Sequence, residues 1–223
     1  MTQTWQQLLF AHYPIEPELI TPFIPPGLKL DTYDGQAWIS IVPFQMGFRM
    51  RYSPFEHRFD ELNVRTYVSH GGKAGVFFFS LDASDLFTVI GARLTFSLPY
   101  YLAKMNMRKA ADQLVFSSQR QGSPSGQYHF DATYQPVSEV YHATPHTLDH
   151  WLAERYCLYS EAKNGTLYRG EIHHLPWSLQ QAKANIQINN LFQGRQHGLS
   201  REAELFHYSE HLDIIIWAPE KLQ

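Results

Sequence analysis

The sequence has a single cysteine, almost balanced charge and no apolar run near the ~20 residues that a helix needs to cross a bilayer. One cysteine, Cys157, excludes an internal disulfide and is a poor start for a structural zinc site; its simplest reading is a small buried apolar side chain. Lys and Arg number 18 against 21 Asp and Glu, a formal net charge of -3 that leaves no electrostatic footprint for nucleic acid or an anionic membrane. The first ten residues lack the basic flank and long apolar stretch of a signal peptide, so a cytoplasmic protein is expected. Also missing are HExxH, paired Cys-x-x-Cys, a nucleotide-cradling glycine loop and a Gly-x-Ser-x-Gly elbow. His70-Gly71-Gly72-Lys73 reads as a turn, and His173-His174, being adjacent on a strand, point to opposite faces. No metal and no cofactor are expected.

Aromatic residues are what the chain has in quantity. They make up 15% of its 223 residues, a share that suits strands and pocket walls. With 44% hydrophobic residues the chain can bury one sizeable core, and residues 1–223 read as a single domain. Turn signals mark the hairpins: Asp34-Gly35 between 28–32 and 37–42, His70-Gly71-Gly72 between 62–68 and 76–80, and Asn164-Gly165 between 156–160 and 167–173. A fourth hairpin joins 114–119 to 128–134, and 212–217 reads as a buried closing strand. Helices are expected over 14–23, from a Ser84 cap to about Ser97, and over 146–155 behind Thr144-Pro145. This count predicts roughly eight to ten strands in a β-rich α+β fold, a curved antiparallel sheet closing into a barrel with a few peripheral helices.

Two strands carry polar side chains at a period of two. Glu61, Asn63, Arg65 and Tyr67 share one face of the first, opposite Leu62, Val64, Thr66 and Val68. Arg169, Glu171 and His173 share one face of the second. If both faces point into one barrel, the charges must either pair or hold a ligand, because an unpaired buried charge costs several kcal/mol.

Several motifs occur in order: residues 5–13, Val42-Pro43-Phe44, residues 61–67, Phe79-Ser80-Leu81-Asp82-Ala83, Ala92-Arg93-Leu94 running on to Ala103, Glu154-Arg155-Tyr156 and Gly170-Glu171-Ile172-His173. Over nearly its whole length the chain therefore resembles the bacterial YqjF-like family, an uncharacterised domain similar in fold to acetoacetate decarboxylase. That resemblance implies a barrel-like antiparallel sheet with helices around it and a central cavity. Acetoacetate decarboxylase carries Gly-Arg-Glu-x-x-Gly-x-Pro-Lys-Lys, whose first lysine forms a Schiff base and whose second tunes it. Here Arg93 and Pro99 match, but the two lysine positions are Tyr100 and Tyr101 and the Glu position is Leu94. A phenol cannot form the iminium, so Schiff-base decarboxylation is not expected. Lys104 is the nearest amine.

The residues thus point to a polar pocket for a small carboxylate or carbonyl compound. Its acid/base groups would be Glu61, Tyr67 and Tyr100, and its ligand-holding groups Asn63, Arg65, Arg93, Tyr101, Arg169, Glu171 and His173. Whether binding leads to reaction is left open, as is a homo-oligomer. The alternative is a noncatalytic barrel, filled by its own salt bridges and acting in protein association through surface aromatics such as Tyr52, Phe55 and Trp177.

Overall fold

The computed structural model describes residues 2–49, 56–124, 127–191 and 203–222. Tyr52 and Phe55 lie outside them. Chain order begins with β1 (Thr2–Ile15), α1 (Pro17–Ile20), a 3-10 turn (Thr21–Phe23), β2 (Lys29–Leu30), β3 (Ala37–Arg49), β4 (His57–His70), β5 (Lys73–Ala83) and α2 (Leu86–Thr95). It continues with β6 (Tyr100–Ala110), β7 (Gln113–Arg120), β8 (His129–Pro136), α3 (Leu148–Ala153), β9 (Cys157–Glu161), β10 (Leu167–His173), β11 (Gln180–Asn189), β12 (Leu205–Ile216) and β13 (Glu220–Lys221). Among the described residues strands dominate, and the three α-helices are short.

Among the described residues thirteen strands form one sheet in the order β13-β10-β9-β5-β6-β7-β8-β11-β12-β1-β3-β4-β2, with additional pairings β10–β12 and β5–β4. Hydrogen-bonded neighbours followed from β5 through β4, β3, β1, β12, β10 and β9 return to β5. Most pairings are antiparallel; β5 pairs in parallel with β6, across α2, and with β9. The close approach of β5 to β9 requires glycine at position 75, where an added Cβ would lie 2.7 Å from both the Cys157 carbonyl oxygen and its sulfur.

Two apolar cores lie on opposite faces of the central strands. On β4, Phe59 and Tyr67 belong to the first core, with Phe10, Trp38, Phe44, Phe78, Tyr100 and Trp177, whereas Leu62 and Val64 belong to the second, with Leu9, Ile41, Phe116 and Phe130. Strand β4 is therefore buried on both sides. On β1 the alternation slips at Gln7, which takes a left-handed φ of 56° and whose carbonyl accepts a hydrogen bond from the Tyr134 hydroxyl at 2.8 Å. After the slip Leu8 and Phe10 face the first core. A second irregularity sits beside Arg65: Val64 pairs with Ser80 but Arg65 pairs with Phe78, so β5 carries one extra residue there.

Three of the four hairpins form where the turn chemistry places them. Gly71 and Gly72, both at positive φ, close β4 onto β5; Asn164-Gly165 closes β9 onto β10; and β7 pairs with β8. The first hairpin is corrected. Asp34-Gly35 does turn the chain, joining Tyr33 to Gln36, but β2 pairs with β4 rather than with β3. The reason is that β3 and β2 take successive stretches of the same β4 edge, Phe48 to Ile39 and then Leu30 to Lys29. The expected helix over 14–23 shrinks to one turn and a 3-10 turn, because β1 runs on to Ile15. The α2 cap is Asp85, which accepts from the Thr88 amide at 2.7 Å, and Ser84 instead accepts from the Asp60 amide. Thr147, not Thr144, caps α3.

Candidate functional site

Alternation on β4 and burial on both its faces force a row of polar groups into the first core. Glu61, Asn63, Arg65 and Tyr67 are all buried, and Arg65 keeps only 6% of its surface. Its guanidinium lies 5.3 Å from the Phe10 ring centre and 5.9 Å from that of Tyr67. Among the described residues Arg65 forms no ion pair, and its Nε and Nη2 have no hydrogen-bond partner. Asn63 Oδ1 and the indole nitrogens of Trp38 and Trp177 are likewise buried without partners. Trp177 stands edge-on to Phe10 with ring centres 4.9 Å apart, so Phe10 is shared between that indole and the guanidinium.

Glu61 lies four residues from Arg65, about 13 Å along the strand, and finds a different partner. The Tyr100 hydroxyl donates to its Oε2 at 2.8 Å. Burial pushes the Glu61 carboxyl up to about 8, with Asp82 adding to the rise and the Tyr100 bond opposing it. Burial, and then the neighbouring Glu61, push the Tyr100 hydroxyl well above its ordinary range. Both shifts favour the protonated forms, a carboxylic acid beside a phenol, which suits the pair to giving a proton rather than taking one.

Tyr67 anchors a second network. Its hydroxyl lies 2.6 Å from Ser40 Oγ, and Ser40 Oγ lies 2.7 Å from His12 Nδ1. His12 Nε2 lies 3.2 Å from His207 Nδ1. Sequence reasoning missed His12, Ser40, His207 and Trp38. A signal existed in each case: every one is a polar or amphipathic residue set between apolar neighbours on a strand, as in Phe10-Ala11-His12-Tyr13.

The other expected site residues lie elsewhere. Adjacent residues on β6 face opposite ways, so Tyr100 reaches Glu61 while Tyr101 lies against two arginines, with Arg120 at 3.8 Å and Arg93 at 5.4 Å from its ring centre. Arg93 sits on the exposed end of α2 and donates from Nε to the Tyr100 carbonyl at 2.6 Å. Arg93 and Tyr101 line an open surface cleft of about 920 Å³ with Phe77, Phe79 and Leu94. Arg120 is paired with buried Asp82 at 2.7 Å.

One shared interior for all the charged residues is corrected. On β10 it is Gly170 and Ile172 that are buried, so Arg169, Glu171 and His173 face the other way. Arg169 Nε lies 2.8 Å from Glu171, which also meets Lys73, and Arg169 reaches Glu220 at 3.3 Å. His173 is exposed. Trp177, expected on the surface, is in the first core.

All seven lysines of the chain are exposed, Lys104 among them. Among the described residues no helix is long and apolar enough to cross a membrane, and no three His, Cys, Asp or Glu residues converge as a metal ion would need.

Comparison with solved structures shows the fold. The enduracididine biosynthesis enzyme MppR complexed with pyruvate superposes with a TM-score of 0.69 at 11% identity, covering 100% of this chain and 90% of that one. Acetoacetate decarboxylase from Legionella pneumophila superposes with a TM-score of 0.67 at 14% identity, covering 100% and 87%. The sheet-dominated architecture is thus acetoacetate decarboxylase-like. In sequence the chain is 42% identical over 225 residues to the uncharacterized protein YqjF of Bacillus subtilis, covering 99% of this chain and 92% of that protein. Residues 2–213 match the model of DUF2071, described as an uncharacterized conserved protein, and the chain belongs to that family.

Proposed function

We propose that the protein binds a small carboxylate or carbonyl compound against Arg65 in the first core, and that no lysine Schiff base takes part. The observation that carries this reading is the buried guanidinium of Arg65, whose Nε and Nη2 have no partner among the described residues. Those two N–H groups form the side-on fork that fits a carboxylate bidentately. Left empty, the arrangement is costly: each buried unpaired donor forfeits about 1–3 kcal/mol and more for a charged one. The indole N–H groups of Trp38 and Trp177 supply further donors for a carbonyl oxygen, and neutral Glu61 supplies a proton. In this reading the circuit of strands acts as a barrel wall, with α3 and the Trp177 segment closing it.

Two further facts support it. MppR, which shares the fold, is complexed with pyruvate, a compound carrying a carboxylate and a carbonyl together. The exposure of every lysine, with Tyr100 buried on Glu61, argues for hydrogen-bond and acid/base chemistry over iminium chemistry. The rival reading needs the interior charges to pair among themselves, yet the Arg169, Glu171, Lys73 and Glu220 pairs lie on the outer side of β10.

The test is thermal unfolding against a panel of small carboxylates and keto acids. A bound member at a hundredfold excess over its Kd should raise the Tm by roughly 5–10 °C in wild type. Arg65→Met should abolish that rise. A panel without any shift, or a shift that survives in Arg65→Met, contradicts the reading. Borohydride with pyruvate should trap no adduct, and a lysine adduct would overturn the second half of the proposal.

A further inference from the structure

Five polar side chains run sideways through the sheet, from Tyr67 on β4 to Ser40 on β3, His12 on β1, His207 on β12 and finally Asp149 on α3. The four strands are successive neighbours in the sheet, so the file passes from strand to strand along the wall of the first core until it reaches α3. Its inner members are sealed: Ser40, Tyr67, His12 and His207 each keep 1% or less of their surface. Its outer end is not. The Asp149 side chain is 31% exposed and lies 3.2 Å from His207 Nε2, and its other oxygen accepts from the Tyr141 hydroxyl at 2.9 Å.

We propose that this file is a proton relay, in which Ser40, His12 and His207 carry protons between Tyr67 in the first core and Asp149 at the surface. One arrangement of hydrogens satisfies the three inner links: Tyr67 donates to Ser40, Ser40 to His12 Nδ1, and His12 Nε2–H to His207 Nδ1. The last link is a close contact without hydrogen-bond alignment, His207 Nε2 lying 3.2 Å from Asp149, and a small turn of the ring would close it. When each proton moves one place outward, Tyr67 becomes a phenolate, Asp149 becomes a neutral acid, and each imidazole exchanges its Nε2–H for Nδ1–H. One proton leaves the core and one arrives at the surface, with no net change along the file. The reverse shift restores the phenol.

Three observations fit a relay better than a static brace. His12 is held neutral, its protonation disfavoured first by burial and then by His207 and Arg65, so it can accept on one nitrogen while donating from the other. Asp149 is held below the usual carboxylate range, chiefly by His207, so it is the ionised end of the file at rest and takes the relayed proton only transiently. Two guanidiniums flank the inner end: Arg155 lies 5.1 Å and Arg65 5.9 Å from the Tyr67 ring centre. A purely structural cluster needs no exposed acid at its end.

The relay rests on the Arg65 reading only for what it serves, and its test uses the ligand-free protein. Nuclear magnetic resonance of 15N-histidine-labelled protein reads both the tautomers and the exchange of ring protons with water. The wild type should show His12 neutral and protonated at Nε2, with its ring proton exchanging despite its burial. Asp149→Asn should slow that exchange by roughly tenfold, and His207→Phe should slow it further, because each removes a carrier. Were His207→Phe not to fold, the mild and partly exposed Asp149→Asn change decides alone. Exchange at His12 that Asp149→Asn leaves unchanged, or a wild-type His12 protonated at Nδ1, would overturn the relay. A silent carboxylate panel would sink the Arg65 reading and leave this result standing.

Discussion

Strand β4 reads Glu61, Asn63, Arg65, Tyr67 along one face and strand β10 reads Arg169, Glu171, His173 along one of its own, yet the first row is buried and the second is half open to solvent. The difference comes from the opposite face of each strand. On β4 that face, Leu62 and Val64, is claimed by the second core, so the polar row has only the first core left to enter. On β10 the buried positions are Gly170 and Ile172, so the charged row is free to point outward and pair with Lys73 and Glu220. Surface pairs of that kind need no ligand, whereas the buried fork of unpaired donors is what the proposed ligand would satisfy.

Four substitutions break or sharpen this contrast. The largest effect is expected at a third kind of charge, buried and paired. Asp82→Ala leaves Arg120 buried without its anion and should cost about 3–5 kcal/mol in urea unfolding; a loss below about 1 kcal/mol would show that Arg120 escapes to solvent.

Next comes Glu61. Its carboxyl is raised from 4.5 to about 8, so the stability it contributes is full below pH 4.5 and is lost as pH rises toward 8, while the unfolded chain has already released its proton. Between those limits the wild type should lose on the order of a few kcal/mol. Glu61→Gln keeps an acceptor for Tyr100 and should flatten that decline. Parallel urea stability curves from pH 4.5 to 8 would contradict the burial of this carboxyl.

Arg65→Met comes third. Removing a buried charge that has no protein partner should leave the unliganded protein as stable as wild type or about 1–2 kcal/mol more stable, with the carboxylate-linked Tm rise gone. Destabilisation by several kcal/mol would mean that Arg65 is a structural strut. The smallest effect belongs to the outer row. Arg169→Ala should cost less than about 1 kcal/mol, shrink further in high salt and leave ligand binding intact.

Much of the sheet could be read from residue patterns because the signals were local. Gly71-Gly72 and Asn164-Gly165 supply the backbone freedom that tight hairpins need, and the flanking runs alternate cleanly. The strands that escaped notice lack such signals. Strand β11, Gln180–Asn189, is built from Gln, Ala, Lys and Asn, and its identity comes from pairing with β8 and not from propensity. Strand β1 has the slip at Gln7, which puts Trp5 and then Leu8 and Phe10 against the same core and breaks the period of two.

The candidate site was half readable for the same reason. Alternation correctly grouped Glu61, Asn63, Arg65 and Tyr67 on one face, but it is blind to which face becomes the inside. It therefore merged Tyr101, Arg93 and the β10 row with residues on the far side of the sheet. Ser40, His12 and His207 come from three different strands, and their convergence on Tyr67 depends on register across the sheet, which no single segment encodes.

The most direct measurement is a crystal structure of the protein with the carboxylate that most raises its Tm. The predicted result is ligand density with two carboxylate oxygens within hydrogen-bond distance of Arg65 Nε and Nη2, beside Trp38 and Trp177. Density in the outer cleft between Arg93 and Tyr101, with Arg65 bonded only to ordered water, would contradict the account.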